Sequence, residues 1–415
     1  MSAKQVNRVV VIGGGHAGGD VAARLRGLGY QGELTILAEE AYPPYQRPPL
    51  SKGHLLGLTP LERVFLRPAE LYAQEGVTLL LNERALWVDR AARRVRLSAG
   101  RELAYDALVF ATGAAARPLA APGAEKAGVH LLRTLDDVAA LRLVLKPGAR
   151  LVLIGAGYIG LEAAASARQL GADVTVLEAA RRPLGRVTSP EVAQHFLDLH
   201  QSHGVRFMLG VKVRALRGEE RVREVVLEEG GALPCDAVVV GVGADPRTEL
   251  AAQCGLAVED GILTDEDCRT LDPAVFAIGD CARRPIAFAG GRSLRLESVH
   301  NAIEGAKIAA AAILGLPGPT LEPPWFWSDQ YDAKLTIAGL FDGYDQIALR
   351  GAPTDPAFAA FYYKGGRLTA VDAVNRPAEY LGAKQLLARG ESLPPALVQD
   401  LSRPFKTLMS EAISS

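Results

Sequence analysis

The sequence predicts an α/β protein with two Rossmann-like dinucleotide-binding units and a small C-terminal α+β domain. Three observations carry that prediction. A strand, glycine turn, helix and second strand ending in acid run through residues 8–39; the same unit recurs at 151–178; and beyond Pro323 the pattern changes to short, aromatic-rich strands followed by a helix.

In the first unit Val9, Val10, Val11 and Ile12 form an apolar run of the length of a buried parallel strand, too short for a helix. Gly13, Gly15 and Gly18 then give G-x-G-x-x-G. The first glycine permits the tight turn, the second lets backbone approach a pyrophosphate, and the third lets the helix pack closely on the strand. The helix N-terminus offers free N–H groups to phosphate. Leu34 to Leu37 make the second strand, and Glu39 falls about twenty residues beyond the glycines, where a carboxylate accepts hydrogen bonds from ribose hydroxyls. Residues 41–52, with prolines at 43, 44, 48 and 49, read as an extended loop. Strands follow at 77–81 and 94–97, the latter half of a small antiparallel unit. The strand 105–110 runs into Ala111, Thr112 and Gly113, a crossing point where backbone can touch a cofactor and the first domain boundary.

A helix at 135–145, stopped by Pro147 and Gly148, precedes the second unit. There the strand 151–154, Gly155, Gly157 and Gly160, a helix at 161–170 and a strand at 173–177 lead to Glu178. Two complete units call for two nucleotides. A proline-interrupted loop at 181–190 and a helix at 191–203 come next, then short strands, then an apolar strand at 236–242 ending at Gly243, where the chain returns to the first domain. The buried strand 275–278 ends in Gly279 and Asp280. Asp280 there either bonds a cofactor's ribityl hydroxyl or serves as a turn or cap residue. The helix 297–314 contains Ser298 to Asn301 in its first turn, and its dipole favours a developing negative charge. In the last part Trp325, Phe326 and Trp327 cluster with Tyr331; strands are expected at 335–340, 346–349, 358–363 and 368–372 and a helix at 378–388. The expected domains are 1–113 with 244–322, 114–243, and 323–415.

The chain has 415 residues, 49% hydrophobic and 22% charged, a globular composition with room for two or three domains. Its net charge of -1 excludes general attraction to nucleic acid or anionic lipid. The longest apolar run, 308–316, has roughly half the length of a membrane span. The start of the chain enters the first strand with no signal-peptide core, so a soluble, cytoplasmic protein is expected. The four cysteines, Cys235, Cys254, Cys268 and Cys281, contain no close-spaced pair, which excludes a thiol–disulfide motif and close-spaced zinc or iron–sulfur ligands; no metal is expected. None precedes residue 235, so no catalytic thiol serves the first nucleotide unit.

Over nearly its whole length the sequence resembles the FAD-dependent NADH:ferredoxin reductases of bacterial oxygenase systems, the putidaredoxin reductase-like family. The resemblance rests on Arg47-Pro48-Pro49-Leu50-Ser51-Lys52, Leu132-Arg133-Thr134, residues 155–162, residues 277–282, Glu297-Ser298-Val299, residues 325–331 and Val374-Asn375-Arg376-Pro377. The tryptophan motif and the proline-rich Lys52 loop are its most specific parts. It implies a glutathione-reductase-like fold without the redox disulfide. It further implies FAD contacts at Gly13, Gly15, Ala17, Gly18, Glu39, Lys52, Ala85, Arg133, Asp280, Val299 and Trp327, and NADH contacts at Gly155, Gly157, Tyr158, Ile159, Glu178, Gly243 and Glu297.

Glu178 argues for NADH over NADPH because its charge repels a 2′-phosphate, with Arg181 and Arg182 taken as solvated loop charges. Lys52 is expected to place positive charge near the flavin and Glu162 to pair with it; these are the catalytic candidates. His300, where the best-known type often has proline, is expected to tune the flavin. The implied acceptor is a [2Fe–2S] ferredoxin feeding a cytochrome P450 or a Rieske-type oxygenase, with Lys307, Lys334 and Lys384 as candidate docking residues and a monomer or weak homodimer as the assembly. Alternatives are a rubredoxin or quinone reductase, and an NADH-binding redox sensor.

Overall fold

The computed structural model describes residues 6–414. It forms two compact units, one of Met1–Arg47, Pro60–Ala115 and Asp245–Glu322, the other of Pro48–Thr59, Ala116–Ala244 and Pro323–Ser415.

The first unit is built on a five-stranded parallel sheet in the order Val275–Ala277, Ala107–Phe110, Arg8–Ile12, Glu33–Leu37, Val77–Leu80. The central strand is apolar at every inner position because both of its faces are covered. Val9 and Val11 pack with Val21 and Leu25 of the helix His16–Gly27 and with Ala306 of the helix Val299–Ile313. Val10 and Ile12 pack on the other face with Val88, Val95 and Leu97 from an antiparallel three-stranded sheet. Parallel strands place all their carboxyl ends at one edge, so the glycine turn after Ile12, Glu39 after Leu37 and Asp280 after Ala277 follow strand ends of one sheet.

The second unit contains another parallel sheet, in the order Arg206–Leu209, Asp173–Glu178, Arg150–Ile154, Ala237–Val240, Val129–His130. It also contains a five-stranded antiparallel sheet in the order Trp325–Gln330, Ala333–Gly339, Arg367–Val374, Phe358–Lys364, Gln346–Arg350. Trp325–Gln330 is therefore a strand, where the sequence suggested only an aromatic cluster. It is joined to the next by a tight turn with Tyr331 at φ 54°. The helix Tyr158–Gln169 packs both on this strand and on a short 3-10 turn at Pro48–Ser51. That turn replaces the extended loop expected there; proline is tolerated in a first helical turn, where its missing N–H has no partner to lose.

Cys235, Cys268 and Cys281 are buried, Cys254 is partly so, and all four are free. Among the described residues no helix is long and apolar enough to cross a membrane and no cluster of His, Cys, Asp or Glu could hold a metal ion.

The helices Pro395–Gln399 and Phe405–Ser414, absent from the sequence reading, are held by one buried charge. Arg350, 3% exposed, donates to Glu379 at 3.2 Å and to the carbonyls of Val398, Asp400 and Arg403 at 2.9, 2.8 and 2.6 Å. Removing one partner of a buried ion pair typically costs about 3–5 kcal/mol. Arg350→Met should therefore lower the unfolding free energy by about that amount in urea titration, with the C-terminal helices the first site of proteolytic cleavage.

Candidate functional site

In the first unit Gly13 has φ +123°, a conformation open to glycine, and its N–H donates to the carbonyl of Leu37 at 2.8 Å. A methyl there would meet the Ala111 carbonyl at 2.1 Å, and one at Gly18 the Gly13 carbonyl at 2.0 Å. At Gly15, by contrast, it would meet nothing within 4 Å. Gly15 caps the helix His16–Gly27 without a side-chain hydrogen bond, and the first turn carries no acid. The free N–H groups thus lie beside open space at Gly15, with no carboxylate in the helix's own first turn, which fits a pyrophosphate. Ala17 and Gly18 are buried in that first turn. Burial holds His16 below the ordinary imidazole range, and its Nδ1 is buried with no hydrogen-bond partner among the described residues.

Asp280 lies in the 3-10 turn Gly279–Cys281, where Gly279 (φ +73°) backs onto Ala17, and its charge acts on both His16 and Arg47. Val299 opens its helix behind Ser298, whose hydroxyl accepts from the Asn301 N–H at 3.0 Å, again with no acid in the first turn. Asn301 donates to the Gly279 carbonyl at 3.4 Å and to that of Leu296 at 2.7 Å, tying this helix start to the Asp280 turn. Glu39 is half-exposed and pairs with Arg247 at 2.7 Å. Ala85 opens the strand Ala85–Asp89. His300 is buried, with Nε2 3.5 Å from Glu304.

The second unit repeats the turn. Gly155 (φ +101°) and Gly160 would each drive a methyl into backbone, at 2.3 Å from the Gly241 carbonyl and 2.4 Å from the Gly155 carbonyl, whereas Gly157 has open space. Gly157 caps Tyr158–Gln169 without a side-chain bond and without acid in the first turn. Glu178 accepts from the Ala156 and Ala180 N–H groups at 2.7 and 2.8 Å, joining the second strand's end to the glycine turn. The following loop folds back on this turn: Leu184 N–H donates to the Ala156 carbonyl at 2.9 Å and the Tyr158 hydroxyl to that of Val187 at 3.0 Å. Arg182 braces the same loop through the carbonyls of Thr188 and Gly185 at 3.1 and 3.0 Å, rather than standing as a solvated charge. Ile159 is exposed, and the Gly243 carbonyl accepts from Arg117 N–H at 2.9 Å.

Within this unit Lys52 Nζ lies 2.9 Å from Glu162 Oε1, with the side chains 16% and 5% exposed. Glu162 Oε1 also accepts from Ser328 Oγ at 2.7 Å, and the Ser51 hydroxyl donates to Oε2 at 2.5 Å. Ser166, one turn after Glu162, donates to the Ser51 carbonyl at 2.7 Å and fixes the turn on the helix. Trp327 lies 5.9 Å from Lys52 Nζ, measured to the ring centroid. Arg133 N–H donates to Asp137 at 2.9 Å.

Of the predicted residues, Lys52, Glu162 and Trp327 are brought together within the second unit, while Glu297 belongs to the first unit, beside Arg295. Lys307 lies on Val299–Ile313, Lys334 is exposed on Ala333–Gly339, and Lys384 sits 5.6 Å from the Trp325 ring. Ser51, Ser328, Gln330 and His200 were missed. Reading residues 325–330 as a strand would have placed Ser328 and Gln330 on one face.

Residues 7–306 match the family described as pyridine nucleotide-disulphide oxidoreductase, and residues 325–409 match the reductase C-terminal domain. The chain is 44% identical to a probable ferredoxin reductase of Castellaniella defragrans over 92% of this chain and 94% of that one. It is 42% identical to rhodocoxin reductase of Rhodococcus erythropolis over 96% and 93%. Among solved structures, the covalent putidaredoxin reductase–putidaredoxin complex matches with a TM-score of 0.96 and 40% identity over 99% of each chain.

The two glycines of the second turn should separate binding from folding. Gly155→Ala, strained and clashing, should cost about 3 kcal/mol of stability. Gly157→Ala, at φ -79°, should leave thermal unfolding unchanged. Because its methyl enters the space in front of the helix, it should weaken nucleotide binding about tenfold or more by titration calorimetry.

Proposed function

The chain belongs to the pyridine nucleotide-disulphide oxidoreductase family and is a ferredoxin reductase, and from that premise we propose that it oxidises NADH through FAD and reduces a [2Fe–2S] ferredoxin serving a cytochrome P450 or Rieske-type oxygenase. The observation that carries the reading is the pair of open, uncapped, acid-free helix N-termini at Gly15 and Gly157, each behind a buried parallel strand. They fit two pyrophosphates, one for each dinucleotide.

Gly13, Gly15, Ala17, Gly18, Glu39, Ala85, Arg133, Asp280 and Val299 hold FAD in this reading, with Lys52 and Trp327 at the flavin; Gly155, Gly157, Tyr158, Ile159, Glu178, Gly243 and Glu297 hold NADH. The domains follow as 1–113 with 244–322 for FAD, 114–243 for NADH and 323–415 as the C-terminal domain. When bound, FAD supplies a group that accepts hydride and yields electrons singly. The overall balance is NADH and two oxidised ferredoxins giving NAD⁺, two reduced ferredoxins and one proton. Lys52, held by Glu162, contributes the positive charge, and Val299's helix N-terminus, free of acid, favours the negative charge of the reduced state. Glu178 disfavours a 2′-phosphate, and two of the Arg182 N–H groups are engaged by loop carbonyls.

The ferredoxin docks through Lys307, Lys334 and Lys384, whose charge complements an acidic partner. NADH-driven reduction of a [2Fe–2S] ferredoxin, followed at its own absorbance, tests the reading. Fast turnover with NADH, about tenfold or more weaker kcat/KM with NADPH, and a fall with rising salt that ferricyanide reduction does not share are expected. Flavin reduction without transfer to any ferredoxin, or equal transfer to rubredoxin at every salt concentration, would contradict it.

A further inference from the structure

We propose that Gln330 and His200 are positioning residues for hydride transfer: through Ser328 they form a one-way chain of hydrogen bonds that aims the Glu162 carboxylate at Lys52. The inference rests on the role given above to Lys52 and Glu162.

The chain lies wholly in the second unit and is buried at every member. His200 Nε2 is 2.8 Å from Gln330 Oε1, Gln330 Nε2 is 3.1 Å from Ser328 Oγ, and Ser328 Oγ is 2.7 Å from Glu162 Oε1. Its direction follows from what each group can do. A carboxylate beside a lysine accepts, so the Ser328 hydroxyl donates its only proton to it. The serine oxygen then takes a proton from the amide N–H of Gln330. The amide oxygen is left facing His200, so the imidazole carries its proton on Nε2. Burial pushes His200 down to about 4, leaving one ring proton to place, and Nδ1 is buried with no hydrogen-bond partner among the described residues. A single arrangement of protons therefore serves the whole chain.

His200 is far from either glycine turn in sequence, on the helix Pro190–Ser202, and its ring is packed at 5.1 Å from Tyr331 and 6.0 Å from Phe207. The imidazole is thus a fixed donor. Without it the Gln330 amide is free to turn over and present its oxygen to Ser328, whose hydroxyl would then turn away from Glu162. Glu162 Oε1 would keep Lys52 alone, and the carboxylate and the ammonium would lose the third direction that sets their orientation. A network that served only to hold the antiparallel sheet would instead make its losses felt in stability and independently of Glu162.

The test uses the FAD-loaded protein in rapid mixing with NADH. Ser328→Ala and Gln330→Met are expected to slow flavin reduction about tenfold with FAD retained and NADH affinity unchanged, and Ser328→Thr, which keeps the hydroxyl, to restore the rate to within about twofold. In a Glu162→Gln background the Gln330→Met change should alter the rate less than about twofold, since the two act through one carboxylate. Independently of activity, nitrogen NMR of histidine-labelled protein should find His200 as the Nε2–H tautomer, with its ring signals shifted by Gln330→Met. Ser328→Ala removes a single oxygen atom and carries the test if Gln330→Met does not fold. Unchanged reduction in Ser328→Ala, additive slowing in the Glu162→Gln background, or an Nδ1–H tautomer would each overturn the proposal. Glu162→Gln alone separates the two levels: if it leaves reduction unchanged, the role of Glu162 falls and the chain with it; if it slows reduction while Ser328→Ala does not, the chain alone falls.

Discussion

A lysine and a glutamate taken out of water together set the terms for the second unit. The Lys52–Glu162 pair is largely buried, and such a pair offsets its desolvation only when geometry is good and the remaining acceptor positions are filled. Ser51 and Ser328 fill them. The carboxylate and its donors come from three segments distant in sequence, so the pair requires each to be held firmly. The 3-10 turn Pro48–Ser51 is stiffened by two prolines, the helix Tyr158–Gln169 is aimed by its glycine turn, and the strand Trp325–Gln330 is paired along its length with Ala333–Gly339.

The glycine turns supply the second constraint. Gly13 and Gly155 sit where a side chain would collide with the neighbouring crossing strand's exit, and Gly18 and Gly160 where one would separate helix from turn. Of these six, only Gly15 and Gly157 have open space where a side chain would stand. The same six-residue pattern thus divides into positions that build the turn and positions that leave open space in front of the helix.

What the sequence made legible was local. The apolar runs at 9–12 and 151–154 and the glycine spacing after them rest on near neighbours, and the structure has these strands and helices where the pattern put them. Trp325–Gln330 hid as a strand because its bulky aromatics stand on both faces and break the alternation that marks a half-buried strand. The turn at Pro48–Ser51 hid because proline was read as a breaker rather than as a first-turn residue. Ser328, Gln330 and His200 could not be seen as a chain, since their relation to Glu162 exists only after helix and strand have packed. Arg182 looked solvated because nothing local announces that its loop carbonyls turn inward to meet it.

The measurement closest to the centre of this account is the rate of flavin reduction by NADH in FAD-loaded Lys52→Ala, taken by rapid mixing beside the unaltered protein. The role proposed for Lys52 predicts a fall of about tenfold or more with the flavin still bound and the ferredoxin step little changed. An unchanged rate would make the Lys52–Glu162 pair a structural salt bridge and remove it from the chemistry.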